Sequence, residues 1–294
     1  MTRKIIPVVM TLAALPMGAA DAGLKLKVAA VQFRSSFDIQ QNSERIAAHL
    51  KRLAGDGVQV AVFPECALTG YDTAPTFAPS AVEIEAAERQ LQQICRNAKI
   101  AAVIGTVYKV NGRAYDAAVV FDSHGATIER YGKVHLAGEE WATPGNHVAY
   151  FELEGVLSTV IICHDERYPE LVRLPALKGA RVVYYISSES GMREEHKLLP
   201  YRAQVMARAV ENGMFVVQAN APANPDLSGS HGQSRIVATD GNVLKEASFF
   251  GEDILVETLA IQTGSLQRPL EGLFGQWWSQ GLDAMMNNRR RQLD

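Results

Sequence analysis

Residues 160–173 read VIICHDERYPELVR, and the order of those letters decides the class of fold. Val160, Ile161 and Ile162 end a short apolar run that starts at Val156, too brief for a helix and rich in β-branched side chains, so it reads as a buried strand. The chain then meets Cys163-His164-Asp165 and, past Pro169, enters a stretch at 170–178 with helical spacing. A strand that turns into a helix is the unit of an α/β protein, and such proteins open their ligand crevices at the C-terminal ends of strands. A thiol at that turn is favoured as a nucleophile by nearby backbone N–H groups and the helix dipole. A lone cysteine in an apolar strand is, on composition, more often a core residue.

The same alternation extends outward. Residues 25–33 (KLKVAAVQF) and 58–63 (VQVAVF) read as strands, and between them Ile46, Leu50 and Leu53 recur at helical spacing in 39–54. A second amphipathic helix covers 83–97. Strands follow at 101–110 and 114–122, joined by Asn111-Gly112, a two-residue hairpin turn. Further strands are predicted at 127–131, 149–153, 156–162, 181–186, 214–219, 234–239 and 243–247, with a helix at 195–212. Strand–helix–strand passages mixed with tight hairpins imply mixed sheets layered by helices, and this many strands suits two sheets face to face with helices outside.

Composition places the chain among folded globular proteins: 294 residues, 47% apolar, 21% charged, with 29 Lys+Arg against 32 Asp+Glu. The net charge of −3 offers no long-range attraction to phosphate, which argues against a nucleic-acid binder and for a small-molecule partner. Cys66, Cys95 and Cys163 are too few and too scattered for a disulfide framework or a metal knuckle, and the histidines form no HExxH pair, so no metal site is expected. Residues 1–22 carry Arg3 and Lys4, an uncharged stretch from Ile5 to Ala20, and Ala20-Asp21-Ala22, the pattern of a secretory signal peptide cleaved after Ala22. Interrupted by Pro7, Pro16 and Gly18, the stretch falls short of the ~20 residues a membrane span needs. The remainder, 23–294, reads as one domain, exported to the periplasm or beyond.

Two more strand ends carry reactive side chains. In Val62-Phe63-Pro64-Glu65-Cys66 a carboxylate flanked by apolar groups tends toward general-base range, although a solvated strand-end glutamate is the plainer reading. In Tyr131-Gly132-Lys133-Val134-His135-Leu136 a lysine after a glycine can project an ammonium into a cleft, where it would stabilise an oxyanion.

Taken together, FPECALTGY at 63–71, YGKVHL at 131–136 and CHDERYPELVR at 163–173 resemble the carbon–nitrogen hydrolase (nitrilase) superfamily. The resemblance runs from Val28-Ala29-Ala30-Val31-Gln32 through Ala207–Asn212 to Gly232-Gln233-Ser234. It implies an αββα sandwich, usually a homodimer, and a Glu65-Lys133-Cys163 catalytic set without cofactor. It also implies a second glutamate near the lysine, close to a Pro-Gly; Glu140, four residues before Pro144, is the choice and Glu139 the runner-up. His164 would contribute its backbone N–H to an oxyanion site. Its ring, next to Cys163 on an extended strand, should point away from the sulfur. Asp165 after the nucleophile resembles the amidase and carbamoyl-amidase branches, so the expected reaction is cleavage of a small linear amide or carbamoyl compound. A nitrilase or acyltransferase using the same set, or a non-catalytic binding protein, are the alternatives. The sequence departs from amidase relatives at Ile186–Gly191, where Glu189 either faces the pocket and receives a cationic substrate group or is solvated. At 275–294, Trp277 and Trp278 suit a terminal helix docked on its own domain or on a second subunit.

Overall fold

The computed structural model describes residues 23–72 and 79–262; the proposed signal peptide and the 275–294 tail fall outside them. Two six-stranded mixed sheets lie face to face. The first runs in the order β12-β1-β2-β3-β4-β5, comprising β1 (Leu24–Gln32), β2 (Val60–Val62), β3 (Ala101–Val110), β4 (Arg113–Phe121), β5 (Thr127–Gly132) and β12 (Asp253–Ile261). The second runs β11-β10-β9-β8-β7-β6, comprising β6 (Phe151–Leu153), β7 (Val156–Ile162), β8 (Val182–Ser187), β9 (Phe215–Asn220), β10 (Arg235–Val237) and β11 (Val243–Glu246).

Alternation along the strands builds both sides of each sheet. In β1, Leu26, Val28 and Ala30 face the other sheet, joined there by Val62, Val103, Val160, Ile162 and Ile186. Ala29 and Val31 face outward, onto α1 (Ile39–Gly55) and α2 (Ala81–Ala98). Because both faces are covered, these strands read as continuous apolar runs. The stripe Ile46, Leu50 and Leu53 of α1 is almost fully withdrawn from water, each side chain contributing roughly 1.5–3 kcal/mol of burial. The helix starts where the Asp38 side chain accepts from the Gln41 N–H, and α2 where Ser80 and Glu83 cap each other. The second sheet is covered by α3 (Glu170–Leu177) and α4 (Leu198–Val210), with Leu171, Val205 and Ala209 packed on Ile161, Val183 and Val216. The result is the expected αββα sandwich.

Three elements differ from the sequence reading. The strand expected at 149–153 is only Phe151–Leu153. The helix expected at 195–212 is divided into a 3-10 segment, Met192–Lys197, with non-helical backbone at Glu194, and then α4. Strand β12 was not anticipated: its sequence DILVETLAI mixes charge into an apolar run, and it pairs antiparallel along all of β1 at the sheet edge. No described helix is long and apolar enough to cross a membrane.

Candidate active site

Glu65 leaves the C-terminal end of β2 on a segment pressed against β3. A Cβ at Gly105 would lie 2.1 Å from the Pro64 carbonyl oxygen and 2.6 Å from the Glu65 Cα, so only glycine lets the two backbones approach this closely. Lys133 follows β5, and Gly145 packs on the same turn: its N–H donates to the Lys133 carbonyl at 2.8 Å, and a Cβ there would meet the Gly132 oxygen at 2.0 Å. The Pro-Gly near the lysine is thus a backbone clamp. Cys163 follows the end of β7 with φ of 45°, a left-handed conformation uncommon for a residue with a side chain, and starts the 3-10 turn Cys163–Arg167.

Asp165 fixes that turn. Its Oδ1 accepts the His135 N–H at 2.9 Å, and its Oδ2 accepts the Tyr131 hydroxyl at 2.8 Å and the Ile162 N–H at 3.2 Å. One buried carboxylate therefore ties the cysteine elbow of the second sheet to the lysine loop of the first. Burial pushes its pKa up to about 6, against the pull of those hydrogen bonds.

The Lys133 ammonium, 0% exposed, sits 2.6 Å from Glu65 Oε1, 2.6 Å from Glu139 Oε1 and 3.3 Å from Asp116 Oδ2. Burial opposes its charge, but the surrounding carboxylates prevail and hold it as an ammonium well above the ordinary lysine range. These three acids lie within 4.8 Å of one another, close enough to hold a metal ion, and the cation between them is Lys133 itself. Glu65 Oε2 also accepts the Ser188 N–H at 2.7 Å, from the end of β8. Glu139 Oε1 further accepts the Tyr71 hydroxyl at 2.9 Å and its Oε2 the Ala137 N–H at 2.6 Å. Burial alone would raise Glu139, but Lys133 and the Ala137 N–H hold its carboxyl below the usual glutamate range. Asp116 is driven the other way, well above the carboxylate range, by burial and the charge of Glu65.

The expectation for Glu140 is therefore corrected: its side chain is exposed, and Glu139, 2% exposed, is the glutamate on the lysine. The loop carries no periodicity from which to choose between neighbours. Asp116 and Tyr71 were missed. An acid in the middle of the apolar run AYDAAVVF is a legible sign of a buried charge; Tyr71 closes the FPECALTGY word but lies beyond the strand. Cys66 is buried, its Sγ 3.6 Å from Asp116 Oδ1, and Cys95 is buried in α2.

The Cys163 side chain is half-buried, and withdrawal from solvent, then the charge of Glu65, pushes its thiol well above the ordinary cysteine range, with Lys133 opposing. At rest it is a thiol, so nucleophilic use requires a base. The His164 ring lies edge-on to Tyr168, with centroids 5.9 Å apart. The sequence reading placed it on an extended strand; in the structure it belongs to the 3-10 turn.

Glu189 is neither solvated nor open to a substrate cation. It is 2% exposed; its Oε1 accepts the Tyr185 hydroxyl and, at 3.2 Å, the Gln218 amide, while its Oε2 lies 3.1 Å from His231 Nε2. The expected substrate contact gives way to internal partners from β8, β9 and the loop before β10, none adjacent in sequence.

A glutamate and a lysine from one sheet thus meet a cysteine elbow from the other. The carbon-nitrogen hydrolase profile matches residues 27–268, most of the chain. The chain belongs to this family. It is a hydrolase of non-peptide carbon–nitrogen bonds in the nitrilase superfamily. Among relatives, it is 29% identical over 229 residues to 2-oxoglutaramate amidase of Bacillus subtilis (strain 168), covering 76% of this chain and 86% of that protein. Among solved structures, an amidase from Nesterenkonia sp. superposes with a TM-score of 0.74 at 28% identity, covering 88% of this chain and 99% of the other. A glutamate-to-glutamine mutant of the Nesterenkonia sp. AN1 amidase, showing Michael addition of acrylamide at its active-site cysteine, superposes with a TM-score of 0.72 at 26% identity, covering 86% and 99%. This carbon-nitrogen hydrolase shares its two-sheet architecture with both.

Proposed function

We propose that the protein is a thiol-dependent amidase that cleaves a small linear amide or carbamoyl compound to an acid and ammonia or an amine. The observation that carries this reading is the Lys133 ammonium held at 2.6 Å by both Glu65 and Glu139 beside the Cys163 elbow. The amidase names of the relatives support the amide over the nitrile.

Glu65 takes the Cys163 proton as the sulfur attacks the amide carbon. The carbonyl electrons move to oxygen, where Lys133 and the His164 N–H receive the charge; losing one such donor typically costs about 3 kcal/mol of barrier. The first N–H groups of a helical turn have no upstream acceptor, which suits His164 to this role. The C–N bond breaks, Glu65 returns the proton to the departing nitrogen, and a Cys163 thioester remains. Water, deprotonated by Glu65, then releases the acid and regenerates the thiol. Glu139 does not touch the substrate in this scheme; it anchors the lysine.

The test is intact-mass spectrometry of the protein incubated with short amides, ureides and nitriles. An acyl adduct on Cys163, absent from Cys163→Ala together with all turnover, supports the reading; full turnover in Cys163→Ala overturns it. We further propose export with removal of residues 1–22, supported by the charge and cleavage pattern there. A homodimer is part of the same reading, supported by Leu174, Leu199 and Val210, exposed apolar side chains on α3 and α4; sedimentation at micromolar concentration checks it.

A further inference from the structure

Behind the cysteine elbow, the interface between the second sheet and α4 contains a polar row. Ile161, Tyr185, Gln218, Arg235 and Glu246 stand opposite one another across β7 to β11. The neighbouring row, Val183, Val216 and Val237, is apolar, as a sheet–helix interface ordinarily is. The polar row begins at the nucleophile. The Tyr185 oxygen lies 2.8 Å from Glu166 Oε2, in short contact with Glu189 Oε1 and 3.2 Å from the carbonyl oxygen of Cys163.

Counting hydrogens shows what these contacts require. Three acceptors surround one phenol, which has a single hydrogen to give. A peptide carbonyl never donates, so a carboxyl must carry a proton for both carboxyl–phenol contacts to be attractive. At the far end the His231 Nδ1 lies 3.0 Å from the Ser190 carbonyl and donates to it, leaving Nε2 to face Glu189 Oε2 at 3.1 Å. The arrangement that satisfies all three contacts has Glu166 as the neutral acid donating to Tyr185, and the one Tyr185 hydrogen shared between Glu189 Oε1 and the Cys163 carbonyl oxygen.

We infer that Glu166, Tyr185 and Glu189, with His231 packed against Glu189, form a proton-sharing brace that positions the Cys163 nucleophile through its carbonyl. The inference rests on the reading of Cys163 as nucleophile. A left-handed cysteine persists only where its surroundings over-determine it, and the Tyr185 contact on its carbonyl is one such restraint. Burial, reinforced by the charge of Glu189, pushes the Glu166 carboxyl up to about 9, so the bridging proton stays through neutral pH. Arg208 of α4, which donates to the Glu166 carbonyl at 2.9 Å, and Arg167 pull in the opposite direction. Arg235, the Cys163 thiol and Tyr201 of α4, whose ring stacks on His231, are further charged and titratable groups around the brace. None of the four brace residues needs to touch substrate, so they are positioning residues.

Turnover of the amide that acylates Cys163 is measured against pH for wild type, Tyr185→Phe, Glu189→Gln and Glu166→Gln. Tyr185→Phe and Glu189→Gln are expected to lower kcat by about tenfold or more with KM moved little, and to slow the Cys163 adduct in step. In Glu166→Gln the amide still donates to Tyr185 but cannot lose that proton, so the alkaline fall in kcat moves to higher pH. Turnover of Tyr185→Phe and Glu189→Gln within twofold of wild type, with an unmoved alkaline limb in Glu166→Gln, overturns the brace. Should Tyr185→Phe not fold, the alkaline limb of Glu166→Gln decides. A wild type that forms no adduct on Cys163 overturns the amidase mechanism instead, a result distinct from a normal adduct in unaffected variants.

Discussion

Charge at single residues separates neighbours that a sequence presents as equals. Glu139 and Glu140 are adjacent, yet only the first reaches the lysine. Glu139→Gln, which removes the charge at 2.6 Å from Lys133, is expected to lower kcat by about tenfold to a hundredfold, whereas Glu140→Gln stays within twofold; steady-state kinetics on the two variants checks this. Glu166 gives a pH signature of stability. Its pKa rises from 4.5 to about 9 on folding because it is buried beside Glu189, so the native state holds a proton that the unfolded chain releases in between. The stability it permits is therefore fully present below pH 4.5 and is lost as pH rises toward 9. Glu166→Gln should lose less Tm than wild type between pH 6 and pH 9, by calorimetry in matched buffers. Glu65 and Cys163 were legible because each closes an apolar run, and Lys133, which follows the mixed run TIERYG, was legible through the YGKVHL word. The partners of Glu189 were not: Tyr185 precedes it by one helical-turn distance, but Gln218 and His231 come from β9 and a later loop, and only the sheet order brings them together.

At the level of elements, regular periodicity was readable and its interruptions were not. The hairpin at Asn111-Gly112 formed as expected, with positive φ at both residues. The division of the 195–212 helix and the edge strand β12 depend on tertiary packing: β12 exists because β1 offers it a full row of partners, not because DILVETLAI alternates cleanly. Gly105 illustrates how one element sets another. A methyl group there would force Pro64–Cys66 away from β3, since the obstructing atoms are backbone and cannot rotate aside. Gly105→Ala is expected to cost about 1–3 kcal/mol by overpacking and to depress kcat more than KM, because it displaces Glu65 itself; denaturant unfolding and kinetics together check it.

Across the whole molecule, the two sheets contribute unequal halves of one site. The first supplies Glu65, Lys133 and Glu139, the second Cys163 and the Ser188 N–H, and Asp165 and Ser188 join the halves. The chemistry therefore depends on the sheets keeping one alignment, which their shared apolar face enforces. Export adds a prediction at this scale: protein recovered outside the cytoplasm of its native host should begin Gly23-Leu24-Lys25, and an intact Met1 there would sink the proposal.

The carboxylate cage around Lys133 also bears on how a catalytic cycle ends. An amide enters the site uncharged, but the acid formed from it ionises beside Glu65, whose ammonium partner is already shared with Glu139. Like charges close together and withdrawn from bulk water repel. The reaction thus converts a tolerated guest into one the site repels, and the enzyme should be poorly inhibited by its own acid product: added carboxylate is expected to give an inhibition constant well above the KM of the parent amide.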